Sequence, residues 1–445
     1  MRITVLAPGS RGDVQPFAAL GGALARAGHE IRIVADRGFA PLMRLAGGVE
    51  HVPVSGDIRS LLQAERKLVF EQGRNPVALA RSFFKVGRDL ALRWGEEGLA
   101  ACRGADAILT GDGAAFFGAS VAEKSGVPLI QTYLQPLPPT RDFPSALIPQ
   151  PPFRLPGWAN RISHRLVGEL FWLALRPGTN EARRRLLGLR PWPVLPAPVD
   201  AINRRGPLAL FGFSPSVVPR PADWPPQCRV TGYWFLDDPE WRTPPELEAF
   251  LAAGPPPVYV GFGSMGAADD PRETTALVLQ ALKEAGGLRA VLAAGWGGLS
   301  CSGVGGDAGL PETVIMIEEA PHDRLLPRMA AAVHHGGAGT TAAALRAGIP
   351  SIVLPVLGDQ SFWGARLAAL GAAPPPLPRR RVTAEALAAS LRRVTTDTAM
   401  RVRAAQLGKA IRAEDGLKVA VALIEDMIGT GAVRSPRRAR EVQVR

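Results

Sequence analysis

The sequence predicts an α/β protein in which two doubly wound domains face one another across a cleft. The chain has 445 residues, too many for one ordinary hydrophobic core and enough for two. Apolar residues make up 47% of it, so both cores can be filled. Short apolar runs alternate with helical segments in each half of the chain, and that alternation is typical of parallel sheets.

The first domain begins with a strand, a loop, a helix and a second strand. An apolar run at 3–7 is followed by a loop at 8–13, and a helix predicted at 17–27 ends at Gly28. Further strands are predicted at 30–35, 107–110 and 128–132, with a helix at 114–125. Strand, helix and parallel strand in succession form the βαβ unit from which parallel sheets are built.

Residues 136–226 have a different character. Prolines crowd 136–156 and 191–226, and because proline lacks an N–H donor these stretches predict loops around a helical insert near 162–189. Long irregular segments inside a compact domain usually line a binding cleft.

The alternation of strands and helices begins again after the prolines at 255–257. Strands are predicted at 258–262, 290–294, 314–317, 331–334 and 351–355, with helices at 274–285 and 339–347. We therefore predict a first domain at 1–215, a linker at 216–256, a second domain at 257–415, a helix at 416–430 that packs back on the first domain, and a disordered basic tail at 431–445.

Composition limits the function classes. The net charge of +12 comes mainly from arginine and predicts a solvated basic surface. No run of aromatics interleaved with Lys or Arg indicates nucleic-acid binding, whereas peripheral membrane contact stays open. Three distant cysteines, Cys102, Cys228 and Cys301, predict reduced thiols without a zinc site. Without a signal peptide or a spanning helix, we expect a cytoplasmic protein. We also expect a monomer or a weak dimer.

The strongest local motif is HHGGAGTT at 334–341, which joins a predicted strand to a predicted helix. Its glycines let a ligand approach the backbone, and the free N–H groups at the start of the helix suit a pyrophosphate. His335 can donate to a phosphate oxygen, and Thr340 can add a hydroxyl or cap the helix. Alone, the motif is equally well explained as a glycine-rich turn with a satisfied histidine.

Two other strand ends carry polar groups. Gly263 and Ser264 follow one strand, so this loop can reach the same phosphates. Asp359 and Gln360 follow another and suit adjacent sugar hydroxyls, although alone the pair is more often a helix N-terminus. Because carboxyl ends of parallel strands meet at one sheet edge, three such loops predict one ligand site.

These motifs resemble those of GT-B family 1 glycosyltransferases, especially the sterol glucosyltransferases and the bacterial enzymes that glycosylate antibiotics. The resemblance rests on the stretch from 321–322 through 334–341 to 359–360, on GSRGDVQP at 9–16, on VTGYW at 230–234 and on GWGGL at 295–299. It covers nearly the whole chain and implies the GT-B fold, two Rossmann-like domains across a cleft, with the acceptor on the first domain and the donor on the second.

The resemblance implies a metal-independent, inverting enzyme without a cofactor. It would move a hexose from a nucleotide diphosphate sugar, UDP-glucose first among UDP- and TDP-linked donors, to a hydroxyl of a hydrophobic acceptor such as a sterol, macrolide or other polyketide. The donor-binding residues that it implies are Ser10, Arg11, Gly12, Gly263, Ser264, Trp296, Ala320, His322, His335, Gly337, Ala338, Gly339, Thr340, Asp359 and Gln360. Many plant relatives carry tryptophan where this chain has Glu319 and glutamine where it has His322, so a less aromatic contact to the base is expected.

The same resemblance assigns the catalytic base. GDVQP at 12–16 stands where the family has Gly-His-Val-Asn-Pro, which puts Asp13 where many relatives have the basic histidine. Burial or a second carboxylate would raise the Asp13 pKa and make a better base, whereas pairing with Arg11 would lower it. Asp112, after another strand, either assists Asp13 or only caps the following helix.

Doubly wound domains also occur in proteins with other functions. An NAD-dependent dehydrogenase would need Gly-x-Gly-x-x-Gly after the first strand, which residues 9–12 do not supply. A nucleotide-sugar 2-epimerase of the same fold and a non-catalytic nucleotide-sugar-binding protein both remain alternatives. Aromatic residues of the first half suit an apolar polycyclic acceptor or are ordinary core.

Overall fold

The computed structural model describes residues 1–54, 94–206, 208–263, 270–295, 299–300 and 309–429, without the side chains at 112, 200, 204, 205 and 380. The described chain forms two parallel β-sheets flanked by helices. Each sheet has its own hydrophobic core, as the alternation of elements predicts.

The first sheet has seven described strands in the order β3-β2-β1-β4-β5-β6-β7. They are β1 (Arg2–Leu6), β2 (Glu30–Asp36), β3 (Val49–Val54), β4 (Ala107–Thr110), β5 (Leu129–Tyr133), β6 (Leu208–Phe211) and β7 (Cys228–Val230). The central strands are covered on both faces, so they are apolar throughout; every residue of β4 is buried. Strand β7 lies inside the predicted linker and pairs with β6, so the first sheet extends beyond residue 215.

The described helices of this part are α1 (Arg11–Arg26), α2 (Ala40–Ala46), α3 (Ala115–Ser125), α4 (Gly157–Arg185) and α5 (Val199–Arg205), with a further helical stretch at 94–101. The prediction of a loop at 8–13 is wrong in its second half, because α1 begins six residues before the predicted helix. The cause is a capping box in which Ser10 and Asp13 satisfy one another's backbone N–H groups. Helix α4 includes Pro177, and is longer at its start than the predicted insert.

The second sheet has five described strands in the order β10-β9-β8-β11-β12. They are β8 (Val258–Gly261), β9 (Ala290–Ala293), β10 (Val314–Ile317), β11 (Ala331–His334) and β12 (Ser351–Val353). The helices that follow the first domain are α6 (Pro245–Ala252), α7 (Pro271–Glu284), α8 (His322–Leu325), α9 (Ala338–Ala347), α10 (Gln360–Ala369), α11 (Ala384–Thr396), α12 (Thr398–Ala413) and α13 (Gly416–Gly429).

The last described helix, α13, returns to the first domain. Its apolar residues Ala420, Ile424 and Met427 share a buried cluster with Leu20 and Leu24 of α1. The two domains are therefore tied together by packing as well as by the linker. Among the described residues, every helix is too short or too polar to cross a bilayer.

Each sheet has one topological switch point, where the strand order changes direction. In the first sheet it lies between β1 and β4, and in the second between β8 and β11. Ligands of open α/β sheets bind outside the carboxyl ends of the strands at such points. The loops after these four strands begin at residues 7, 111, 262 and 335, and they carry most of the predicted site.

Candidate active site

Asp13 lies in the first turn of α1, at the switch point of the first sheet. Its Oδ2 accepts hydrogen bonds from the Ser10 backbone N–H at 2.7 Å and from the Ser10 hydroxyl at 2.9 Å. The side chain is exposed on the cleft, but the carboxylate is surrounded by enough protein to lose part of its hydration. That desolvation raises the pKa of Asp13 above 3.8 despite the two Ser10 hydrogen bonds, which lower it.

Gly9 makes room for this carboxylate. Its φ of +140° is a conformation that other residues rarely adopt, and a Cβ at this position would stand 2.4 Å from Asp13 Oδ2. Sequence analysis used Gly9 only as part of a motif. Its structural role is to permit the position of Asp13.

Arg11 is bound away from Asp13. Its Nη1 lies 2.9 Å from Glu319 Oε2 in the second domain, and its Nε donates to Gln15 Oε1 at 3.1 Å. The described contacts of Arg11 therefore do not include an ion pair with Asp13, which would lower the Asp13 pKa and weaken the base. Gly12, between these two residues, is exposed.

Asp112 follows β4, the strand beside β1. Its backbone forms a short 3₁₀ turn with Gly113 and Ala114, and Gly111 N–H donates to Leu6 O at 3.3 Å. The two loops are therefore neighbours. The Asp112 side chain lies outside the described atoms, so its role as assistant or cap stays a prediction.

His335 follows β11, at the switch point of the second sheet, and is buried. Its Nδ1 has no hydrogen-bond partner among the described residues. Burial, and then the neighbouring His322 and Arg379, lower its pKa to about 4. The imidazole is therefore neutral at pH 7 in this site, and offers a phosphate a hydrogen bond rather than a full positive charge.

Gly337 allows this placement of His335, because a Cβ at Gly337 would lie 2.4 Å from the His335 Nε2. His334 stabilises the same turn, because its Nδ1 accepts a hydrogen bond from the Gly336 N–H at 3.0 Å. Burial lowers the His334 pKa to about 3. The motif thus contains one histidine that supports the turn and another that borders the ligand space.

Helix α9 begins directly after this turn. Its first intrahelical bond runs from Thr341 N–H to Gly337 O at 2.9 Å, which leaves the N–H groups of Ala338, Gly339 and Thr340 free of helical partners. No described heavy atom stands within 4 Å of a Cβ built on Gly339. Free N–H groups at the start of a helix, next to an uncrowded Gly339, suit an anion site.

Gly263 faces this turn from the end of β8, which pairs with β11. With φ at +58°, a Cβ on Gly263 would lie 3.3 Å from His335 Cε1. The two loops thus border one space, as strand adjacency predicts. Ser264 and Trp296 lie outside the described residues.

Asp359 and Gln360 stand at the start of α10. Asp359 Oδ2 accepts from Trp363 Nε1 at 2.6 Å, and Gln360 Oε1 accepts from the backbone N–H groups of Val356 and Leu357 at 2.7 and 3.2 Å. Burial, and to a smaller extent the charge of Asp13, raise the pKa of Asp359 to about 6 although the Trp363 hydrogen bond lowers it. The charge of a carboxylate on the first domain thus acts on a carboxylate of the second. Sequence analysis missed Trp363, which holds Asp359.

The 319–322 segment lies near Arg11. His322 Nε2 is 3.3 Å from the Tyr259 hydroxyl, and burial and then the Arg11 charge lower the His322 pKa to about 4. Ala320 is half-buried and packs on the adjoining core. Tyr259 was missed, because a tyrosine inside a buried strand gives no functional signal.

Arg379 is a second residue that sequence analysis missed. It is buried, its guanidinium lies 4.2 Å from the centre of the Phe262 ring, and its charge helps to lower the His335 pKa. The run of arginines at 379–381 is the only signal in the sequence, and it is typical of a solvated surface. The described residues contain no group of three His, Cys, Asp or Glu side chains suited to a metal ion.

Two family models match the chain. The glycosyltransferase family 28 N-terminal domain matches residues 3–134, and the erythromycin biosynthesis protein CIII-like C-terminal domain matches 303–425. O-mycaminosyltylonolide 6-deoxyallosyltransferase of Streptomyces fradiae is 38% identical over 97% of this chain and 98% of its own length. Sterol 3-beta-glucosyltransferase UGT80B1 of Arabidopsis thaliana is 35% identical over 95% of this chain and 67% of its own length.

Solved structures show the same fold at lower identity. Glycosyltransferase VinC in complex with DTDP has a TM-score of 0.67 at 22% identity, covering 97% of this chain and 100% of that one. SnogD from Streptomyces nogalater has a TM-score of 0.66 at 21% identity, covering 96% and 100%. The predicted arrangement of two Rossmann-like domains is confirmed.

Proposed function

The chain belongs to the GT-B glycosyltransferase family that includes this 6-deoxyallosyltransferase and the sterol 3-beta-glucosyltransferases, and we propose that it transfers a hexose to a hydrophobic alcohol. The donor is a nucleotide diphosphate hexose, UDP-glucose first and a TDP-linked hexose second. The acceptor hydroxyl belongs to a sterol, a macrolide or another polyketide. The names of the two relatives support both acceptor classes, and the DTDP complex of VinC supports a diphosphate donor.

The second domain would hold the donor. The free N–H groups of Ala338, Gly339 and Thr340, with His335 beside them, suit the diphosphate. Asp359 and the Gln360 amide suit hydroxyls of the sugar, since Gln360 Oε1 is already occupied by backbone donors and its NH₂ group remains for a ligand.

The first domain would supply the base. Asp13 takes the proton from the acceptor hydroxyl while its oxygen attacks the anomeric carbon from the face opposite the diphosphate. The C–O bond to the acceptor forms as the bond to the diphosphate breaks, and the electron pair leaves on the phosphate oxygen. The anomeric configuration is therefore inverted. Fixed N–H donors stabilise that oxygen, so the proposed reaction needs neither metal nor cofactor.

One feature supports this proposal most: the charge of Asp13 on the first domain contributes to raising the pKa of Asp359 on the second domain, so the two carboxylates face the same cleft. A carboxylate with a raised pKa on one domain thus faces the residues of the other domain that we propose to bind the sugar. A protein that only binds nucleotide sugars has no need of this basic group. An epimerase would need a group that acts on the sugar itself, without an acceptor.

The test is a transfer assay with EDTA present. UDP- and TDP-hexoses are each incubated with a panel of sterols, macrolactones and other hydrophobic alcohols, products are detected by mass spectrometry, and the anomeric configuration is read by NMR. We expect one donor–acceptor pair to give an inverted glycoside without metal. A retained configuration contradicts the mechanism, and strict dependence on a divalent cation contradicts metal independence. Epimerised donor in the absence of any acceptor supports the epimerase instead.

A further inference from the structure

Helix α4 exposes an apolar stripe on the face opposite its packed side. Trp158, Ile162, Leu166 and Leu170 follow one another at intervals of four, so they lie along one side of the helix. Trp158 is 67% exposed, Leu166 59% and Leu170 66%. Scattered exposed leucines are ordinary, but four large apolar side chains in one row call for a partner.

The other face of α4 explains why this row points outwards. Asn160 donates to Arg141 O at 2.8 Å, the ring nitrogens of His164 lie 3.1 Å from the carbonyls of Leu137 and Phe143, and Trp172 is fully buried. These contacts fix the rotation of the helix on the protein. The stripe therefore faces away from the protein because the packing of the opposite face holds α4 in one orientation.

The segment after α4 also carries exposed apolar side chains. Trp172 Nε1 donates to Val194 O at 3.0 Å, and Ala197 N–H donates to the Glu169 carboxylate at 2.8 Å. These bonds lay the segment along α4, where Val194 and Leu195 are 52% and 56% exposed. The carboxylate of Glu169, on the stripe side of the helix, is bound to the protein backbone by the same contact.

Arginines border the stripe. Residues 151–195 contain eight arginines and two glutamates. Glu181 pairs with Arg185. Among the ion pairs of the described residues, none involves Arg154, which precedes the helix, or Arg161 and Arg165, which adjoin Ile162 and Leu166 in the helix. A tryptophan and leucines flanked by unpaired arginines match the interface of an anionic bilayer, where rings and leucines enter the acyl boundary and guanidinium groups meet phosphates.

We propose that this stripe docks the protein on the surface of a membrane that contains anionic phospholipids, with α4 lying in the plane of the interface. A second copy of the chain fits less well, because it would bring a second row of arginines to the contact. The buried face of α4 packs on the loop at 137–145, whose Phe143 ring lies 5.3 Å from that of Phe362 in α10, the helix that begins directly after Asp359. Docking would thus hold the cleft close to the lipid, whichever sugar is transferred.

The test is co-sedimentation of the full chain with vesicles of phosphatidylcholine alone or with roughly one-third phosphatidylglycerol. The apolar variant is Leu166→Gln with Leu170→Gln, the charge variant is Arg161→Gln with Arg165→Gln, and the matched control is Val402→Gln with Val419→Gln, two exposed valines on α12 and α13. We expect wild type and control to bind anionic vesicles, and the apolar variant to lose about tenfold or more in affinity. The charge variant should lose the preference for anionic lipid, and added salt should weaken wild-type binding.

Wild type that stays in the supernatant with anionic vesicles overturns the proposal, and so does an apolar variant that binds as wild type does. Sedimentation velocity without lipid tests whether the stripe instead joins two copies of the chain. A wild-type dimer that the apolar variant converts to monomer assigns the stripe to a second copy and overturns membrane docking. Thermal unfolding checks each variant; should the apolar variant unfold, the charge variant and the salt series still decide the question. None of these readouts depends on sugar transfer, so failure here leaves the proposed function untouched.

Discussion

The two sides of the cleft are built differently. On the second domain a contiguous motif forms a buried, neutral and glycine-shaped turn, in which His334 supports the backbone and His335 borders the ligand space. On the first domain the proposed base is one exposed carboxylate, Asp13, held by hydrogen bonds from Ser10. Binding a donor common to a family favours a fixed, many-residue cradle, whereas activating a hydroxyl needs one well-placed base. We therefore expect substitutions on the second domain to change donor affinity and substitutions on the first domain to change the rate of transfer.

The largest effect is expected from Asp13→Asn. The amide keeps the size of the side chain but cannot take a proton, so the transfer rate should fall by about 10²–10⁴-fold. Donor affinity measured by calorimetry should stay within about twofold, a change worth under ~0.5 kcal/mol. Because the pKa of Asp13 is raised, the wild-type rate should fall with decreasing pH at a higher pH than an ordinary aspartate gives. A variant with near wild-type transfer removes Asp13 from the mechanism.

The second-largest effect, on donor binding, is expected from a substitution in the second domain. His335→Ala removes the imidazole beside the anion site and should weaken donor binding by about 10- to 100-fold, in line with the ~1.5–3 kcal/mol of a hydrogen bond to a charged group. His29→Ala is the matched control, since that histidine lies near Glu425, on the helix that packs back on the first domain. Equal donor affinity for wild type and His335→Ala would remove the histidine from the diphosphate site.

Asp359→Asn separates stability from function. The folded-state pKa of Asp359 is about 6, above the usual 3.8, so the folded protein binds this proton more tightly than the unfolded chain does. The resulting stabilisation is full below about pH 3.8 and is lost as the pH rises through about 6. At pH 7.5 the variant should therefore raise the free energy of unfolding by about 1–2 kcal/mol while weakening use of the donor. Denaturant unfolding at pH 7.5 and pH 4.5 measures this; the same gain at both values contradicts the assignment.

The smallest effect concerns the ion pair that joins the two sides. Arg11 and Glu319 are 42% and 68% exposed, so their pairing should contribute under about 1 kcal/mol. A double-mutant cycle with Arg11→Gln and Glu319→Gln, read by denaturant unfolding at low and high salt, measures the coupling. A coupling well above that value, insensitive to salt, would show that the pair holds the domains together more strongly than its exposure implies.

Sequence patterns predicted nine of the twelve described strands and the adjacency of the second-domain loops, because glycines at strand ends and apolar runs reflect local constraints; β3, β6 and β7 were not predicted. The patterns predicted a loop at 8–13 that included Asp13, whereas in the structure the Asp13 carboxylate caps the first turn of α1 and the helix continues through Pro16. They could not find Trp363 or Arg379, whose roles arise only when distant segments pack beside Asp359 and Phe262. The acceptor region was the least predictable, because irregular proline-rich chain carries no periodicity.

The most direct test of the division between the two domains uses one glycine from each. Gly9→Ala crowds Asp13, and Gly337→Ala crowds His335, each through a Cβ at 2.4 Å; Gly168→Ala, with no described heavy atom within 4 Å of its Cβ, is the control. The measurement is donor affinity together with the single-turnover transfer rate at saturating donor. We predict that Gly9→Ala lowers the rate with donor affinity unchanged, and that Gly337→Ala lowers donor affinity with the saturated rate largely kept. Loss of the same quantity in both variants would contradict the division of labour between the two domains.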